Sequence, residues 1–289
     1  MIIVKVMAGL GNQMFQYALF RSLLKQGRDA KLDISYYKKF LAHNGYELPR
    51  IFNITEYYAT KQESSNLGDI RLDIISRIIR KFIYTKKTHI IQNIGEGFGF
   101  DPTVLELDNL YLQGYWQSEK YFLFAEDELR RDFTFKKPLD PKNQSIEHLI
   151  NQSNSISLHV RRGDYVKAPN LGEVCTIEYY RNAINYIKSS LENPAFFVFS
   201  DDICWCKQHL QINNAVYVEG NYGLDSYKDM QLMSSCKHNI ISNSSFSWWG
   251  AWLNSNKKKI VIAPDKWFKD RKINVKDIIP DTWLKIKTE

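Results

Sequence analysis

The chain has 289 residues, 44% of them hydrophobic, enough for one large domain or two Rossmann-sized ones with substantial cores. Its net charge of +7 comes from 39 Lys and Arg over 32 Asp and Glu spread without a basic tail. A phosphate-bearing ligand or an anionic membrane face suits that balance, whereas no RNP, helix-turn-helix or zinc-finger pattern supports nucleic acid. No run approaches the roughly 18 apolar residues of a membrane span, and no signal cleavage site is evident, so a cytoplasmic protein is expected. Four cysteines, Cys175, Cys204, Cys206 and Cys236, are too few for a disulfide scaffold. Cys204, Cys206 and His209 lack a fourth ligand at zinc spacing, so no metal is expected.

In chain order, the apolar run Ile2 to Met7 reads as a strand and Gly9-Leu10-Gly11 as a tight turn. Met14, Ala18, Phe20, Leu23 and Leu24 then recur at roughly helical spacing, and Gly27 stands where a helix C-cap belongs. Ala30 to Ile34 gives a second strand ending near Asp33, which completes a βαβ unit. From Tyr36 to Asn143 the pattern is poor: scattered aromatics, a basic stretch from Arg77 to Lys87, and the segment Tyr111-Leu112-Gln113-Gly114-Tyr115-Trp116. Pro138, Pro141 and the polar run Lys142 to Ser145 mark a boundary, dividing the chain into residues 1–145 and 146–289. Beyond it, Ile156, Leu158 and Val160 face one side of a strand while Ser157, His159 and Arg161 face the other. A helix over Thr176 to Leu191, N-capped by Thr176, is followed by strands at Ala195 to Ser200, Ala215 to Val218, His238 to Ser242 and Lys259 to Ala263. Strands alternating with helices predict a parallel, doubly wound sheet with its ligand beyond the carboxyl ends of the strands.

Four constellations carry chemistry. Gly9-Leu10-Gly11-Asn12-Gln13 lies at a strand-to-helix turn, where backbone N–H groups meet an anion or a sugar. It is also half a dinucleotide fingerprint, with Asp33 near the place of a ribose-binding acid, which motivates a nicotinamide-dependent oxidoreductase as an alternative. Met14, however, stands where the third glycine belongs. His159-Val160-Arg161-Arg162-Gly163-Asp164-Tyr165 ends a strand with two guanidiniums able to clamp a diphosphate. Arg161 shares the face of His159 and is expected to meet the ligand, Arg162 to be structural, and Asp164 to fix one of them; a buried ion-pair network is the plainer alternative. Ser242-Asn243-Ser244-Ser245-Phe246-Ser247 precedes a helix, and its hydroxyls and amides suit phosphate oxygens; one cap does not need four serines. Asp229, on the preceding helical stretch, is the right acceptor for the N1–H and amino donors of guanine, or else plain solvated surface. No Asp-x-Asp pair follows a strand, so a metal-free diphosphate site is expected. The many tyrosines and tryptophans leave room for a third reading, a non-catalytic nucleotide-sugar or glycan-binding protein.

With GLGNQMFQYA at Gly9 to Ala18, HVRRGDYV at His159 to Val166 and SNSSFSWWGAWL at Ser242 to Leu253 in order, the sequence resembles the α1,2-fucosyltransferases, and more distantly the α1,6- and protein O-fucosyltransferases. The resemblance implies a GT-B architecture: an acceptor-side Rossmann-like domain over residues 1–145 and a donor-binding one over 146–289, facing a cleft. It implies GDP-β-L-fucose as donor, the 2-hydroxyl of a terminal β-galactoside as acceptor, inversion, no metal and no cofactor. By that likeness Arg161 binds the diphosphate, and His159, Asp229, Ser244, Ser245, Phe246 and Ser247 surround the nucleotide. Gly9, Leu10, Gly11 and Asn12 approach the donor from the N-terminal side. Asp164 and Glu173 are the candidate bases. A bacterial enzyme of surface polysaccharide or O-antigen synthesis, at most peripheral on the inner membrane face, completes the expectation.

Overall fold

In the computed structural model, which describes residues 1–39, 43–69, 86–93, 95 and 97–289, two α/β units share the chain. The first comprises Met1–Lys136 and returns for Lys276–Ile278; the second comprises Lys137–Val275 and Ile279–Glu289. Most of the basic stretch from Arg77 to Lys87 lies outside the described residues.

In the first unit, β1 (Ile2–Lys5) leads into α1 (Leu10–Lys25), β2 (Ala30–Asp33), α2 (Lys61–Leu67), β3 (His89–Ile91), β4 (Leu110–Gln113) and α3 (Glu126–Asp132). The strands are parallel in the order β2-β1-β4-β3, with Ile2 beside both Ala30 and Leu110. Helix α1 is apolar on most faces and buried accordingly. Gly27, with φ of 75°, ends it: its N–H reaches the Leu24 carbonyl while that of Arg28 reaches Leu23. The Tyr111 segment forms β4, and β3 is a strand that the sequence pattern does not announce.

In the second unit the elements run α4 (Pro141–Gln152), β5 (Asn154–Val160), α5 (Ile177–Ser190), β6 (Pro194–Ser200), α6 (Ile203–His209), β7 (Val216–Tyr217), α7 (Tyr227–Ser235), β8 (His238–Ile240), α8 (Ser245–Leu253), β9 (Val261–Pro264) and β10 (Leu284–Ile286). All six strands are parallel, in the order β10-β9-β8-β5-β6-β7. Each unit is thus an α/β structure built on a parallel sheet.

The period of two along β6 distributes the core. Phe196 and Val198 join Ile156, Leu158, Val160 and the α5 stripe Tyr180, Ala183, Ile184 and Ile187 on one face. Phe197 and Phe199 join Ile150, Leu232 and Met233 on the other. The polar face of β5 is buried as well. Ser157 and His159 are buried, and Ser157 accepts a hydrogen bond from Asn239, which is itself held by Asn254.

The boundary read at 145/146 falls inside α4, whereas the chain changes unit after Lys136. Pro141 is not a linker residue: it opens α4, where its missing N–H costs nothing, and Asp140 caps the helix by accepting from Asn143 N.

Candidate functional site

At the carboxyl end of β5 the chain runs straight into Arg161. Its guanidinium lies 2.8 Å from Asp164 and 3.2 Å from Asp201, which follows β6, and over the ring of Tyr165 at 5.4 Å. Burial disfavours its charge, but the two carboxylates outweigh that and hold it firmly protonated. Arg162 points elsewhere: it pairs with Asp202 and stacks on Trp205 at 4.2 Å, as the strand alternation requires of a structural arginine. Asp201 also accepts the Arg162 backbone N–H at 2.8 Å, so one carboxylate fixes both the loop and the Arg161 side chain. Gly163 makes room for it, since a Cβ there would lie 2.6 Å from the Asp201 Oδ2.

The serine-rich segment comes to the same place. His159 Nδ1 and the Ser242 hydroxyl are 2.9 Å apart, and the His159 ring lies 5.9 Å from that of Phe246. Burial, with Arg161 nearby, pushes the imidazole down to about 3, so it stays neutral at any physiological pH. The Tyr165 hydroxyl interacts with Ser244, and burial raises it to about 12. Ser244 stands at the N-cap of α8, yet its side chain makes no capping hydrogen bond, so the helix start keeps free donors. Ser245 and Phe246 are half-buried. Ser247 is 1% exposed, and its hydroxyl donates to the Ser244 carbonyl at 3.3 Å within the first turn of α8. Asn243 is likewise occupied, donating to the carbonyls of Leu171 and Trp267.

Asp229 lies in the first turn of α7, entered from the β7 loop on this same carboxyl edge of the sheet. It is half-buried, not solvated surface, and burial raises its carboxyl to about 7 against one donor, Asn221 Nδ2, at 2.7 Å. Glu173 is 80% exposed with φ of 58°. Lys269 pairs with it at 2.8 Å and holds its carboxyl below the ordinary range, the wrong direction for a base.

In the first unit, Gly9 is the N-cap of α1 in extended geometry, and the left-handed residue of the turn is Ala8, with φ of 66°. Leu10 and Gly11 are buried, so only their backbone is on offer. Asn12 accepts from Gln117 at 2.6 Å. Gln13 and Gln16 tie down neighbouring backbone, Gln13 through Ala8, Gly45 and Glu47, Gln16 through Met7 and Gly114. Asp33, the ribose-binding acid of the oxidoreductase alternative, is 4% exposed and accepts from the Tyr111 hydroxyl and the Ser35 N–H; it has nothing to offer a ribose. The motifs around His159 and Ser244 thus meet in the second unit, and Gly9 to Asn12 belong to the first.

Sequence reasoning missed Asp201, Tyr165 and Asn221. The signal for Asp201-Asp202 was their place at a strand end beside the arginine loop. Among the described residues no group of three or more His, Cys, Asp or Glu is placed to hold a metal ion. Among them, too, no helix is long and apolar enough to cross a membrane.

Comparison with known proteins supplies the family. The model of glycosyl transferase family 11 matches residues 1–287. An α-1,2-colitosyltransferase of Escherichia coli is 35% identical, covering 99% of this chain and 99% of its own. An O-antigen biosynthesis glycosyltransferase of the same species, WbnK, is 32% identical over 96% of this chain and 98% of its own. Galactoside α-(1,2)-fucosyltransferase 2 of Oryctolagus cuniculus is 24% identical over 86% and 66%. The chain belongs to glycosyl transferase family 11 and is a glycosyltransferase.

Proposed function

We propose that this family 11 glycosyltransferase moves L-fucose from GDP-β-L-fucose to the 2-hydroxyl of a terminal β-galactoside, with inversion and without a metal, in bacterial O-antigen or surface polysaccharide synthesis. The observation that carries the reading is Arg161, a permanent cation at a parallel strand's carboxyl end, aimed by Asp201 and flanked by the open start of α8. These are the donors a departing diphosphate needs where no divalent ion serves it. In the displacement, the acceptor oxygen bonds to the anomeric carbon as the bond to the β-phosphate oxygen breaks, and GDP leaves with the electron pair. Arg161 stabilises the charge gathering on that phosphate, and the neutral His159 adds a hydrogen-bonding surface without a second cation. The acceptor proton is lost late, from an oxocarbenium-like state, to Asp164 or to solvent; the Lys269-bound Glu173 is the poorer acceptor.

The 35% identity to a colitosyltransferase favours a second reading of the sugar, a 3-deoxy analogue of fucose on the same GDP leaving group. Incubating the purified protein with EDTA, galactosides and either GDP-fucose or GDP-colitose tests both by mass spectrometry. A fucosylated product without added metal supports the proposal, a colitosylated one alone moves the sugar, and product only with manganese refutes the metal-free clamp.

A further inference from the structure

The Asp229 carboxylate does not stand alone. Asn221 and Asn143, 78 residues apart, form a reciprocal amide pair: Asn143 Nδ2 donates to Asn221 Oδ1 and Asn221 Nδ2 donates to Asn143 Oδ1, each at 2.9 Å. The remaining N–H of Asn143 goes to Asp140 Oδ2 at 2.7 Å, and that of Asn221 to Asp229 Oδ1 at 2.7 Å. Asp140 is in turn held by Lys228 at 2.9 Å.

Every donor and acceptor of the two amides is thereby assigned, and the direction of the chain is fixed from α4 to α7. An amide flip at Asn221 would set its carbonyl against Asp229 and break the pair with Asn143, so Asn221 can present only an N–H. Asp229 is consequently pinned through Oδ1, while Oδ2 has no hydrogen-bond partner among the described residues. A carboxylate with one oxygen anchored and the other open is a prepared acceptor for a ligand with adjacent N–H donors.

We infer that Asn221, locked by Asn143, is a positioning residue that sets the Asp229 carboxylate for the N1–H and exocyclic amino group of guanine, and so makes the donor site selective for guanine nucleotides. This rests on the GDP-donor reading above. Burial that raises Asp229 against a single internal donor fits a carboxylate whose remaining partners arrive with the ligand.

Inosine diphosphate, which lacks the exocyclic amino group, is the probe. Competition against the sugar donor gives inhibition constants for GDP and IDP in the wild type and in Asn221→Ala, Asn143→Ala and Asp229→Asn. One hydrogen bond to a charged group implies a wild-type preference for GDP of about tenfold or more. Asn221→Ala should reduce that preference to about threefold or less and raise donor KM far more than it lowers kcat. Asn143→Ala, which keeps Asn221 but frees its amide, should move both readouts the same way by a smaller factor; it also serves if Asn221→Ala fails to fold. A GDP preference unchanged in both asparagine variants but lost in Asp229→Asn overturns the positioning role and leaves the donor reading intact. A wild type that binds neither nucleotide, or binds them equally, overturns guanine recognition itself and this inference with it.

Discussion

Arg161→Ala is the most informative perturbation. The guanidinium side chain is 30% exposed, and its partners Asp164 and Asp201 are 55% and 26% exposed. Ion pairs this wet stabilise a fold by about 0–1 kcal/mol each, so losing both should lower the melting temperature by only a few degrees. The effect on transfer is of another order. Removing one fixed donor from a developing anion costs about 2.7–4 kcal/mol, or roughly 10²–10³ in rate. The variant also leaves the Asp164 and Asp201 carboxylates without the guanidinium that neutralises them, so we expect kcat/KM to fall by about 10³ or more. Arg161→Lys restores the charge but cannot reach both carboxylates, and should recover about tenfold. Product is quantified by mass spectrometry and folding by thermal melting. An Arg161→Ala protein that melts normally and keeps kcat/KM within tenfold of the wild type would refute the clamp.

Gly163→Ala tests the support of that clamp: the new Cβ must drive Asp201 off Arg161, and kcat/KM should fall by about 10- to 100-fold, with no further loss in an Asp201→Ala background. For Asp229, raised to about 7, the sign is fixed by its role as acceptor. Below that pH the carboxyl is protonated and must ionise to receive guanine, so kcat/KM for the donor should fall about tenfold per unit under pH 7 and level off above it. Asp229→Asn should lower the plateau and remove the slope; a wild-type profile flat from pH 5 to 8 would contradict this. Trp205→Ala deletes the platform under Arg162 and the 4.6 Å stack on His209; it should cost about 1–2 kcal/mol in denaturant melts while donor KM moves less than threefold.

The sequence exposed what local periodicity encodes. Alternation along Ile156 to Arg161 located the central strand and separated Arg161 from Arg162, and Thr176 with the stripe from Tyr180 to Ile187 located α5. Strand β3 stayed hidden because three residues cannot express a period of two. The partners of the site stayed hidden for a different reason. Asp201 reaches Arg161 because β6 lies beside β5 in register, with Val160 opposite Ser200, and Asn143 reaches Asn221 across 78 residues. Such pairings are properties of topology, and nothing within a window of neighbours signals them. The local partner of Ser247 is equally invisible: its hydroxyl counts as polar in sequence, and only the structure shows it donating within the first turn of its own helix.

The return of Lys276–Ile278 to the first unit bears on how the protein can be dissected. Asp277 there accepts the Phe100 backbone N–H and pairs with Lys120, and Ile278 is wholly inside. A single cut after Lys136 would therefore release an amino-terminal fragment missing three of its own residues and a carboxyl-terminal fragment carrying a stranded isoleucine. Fragment complementation, with both pieces made together, is the format in which the two halves should hold their shape.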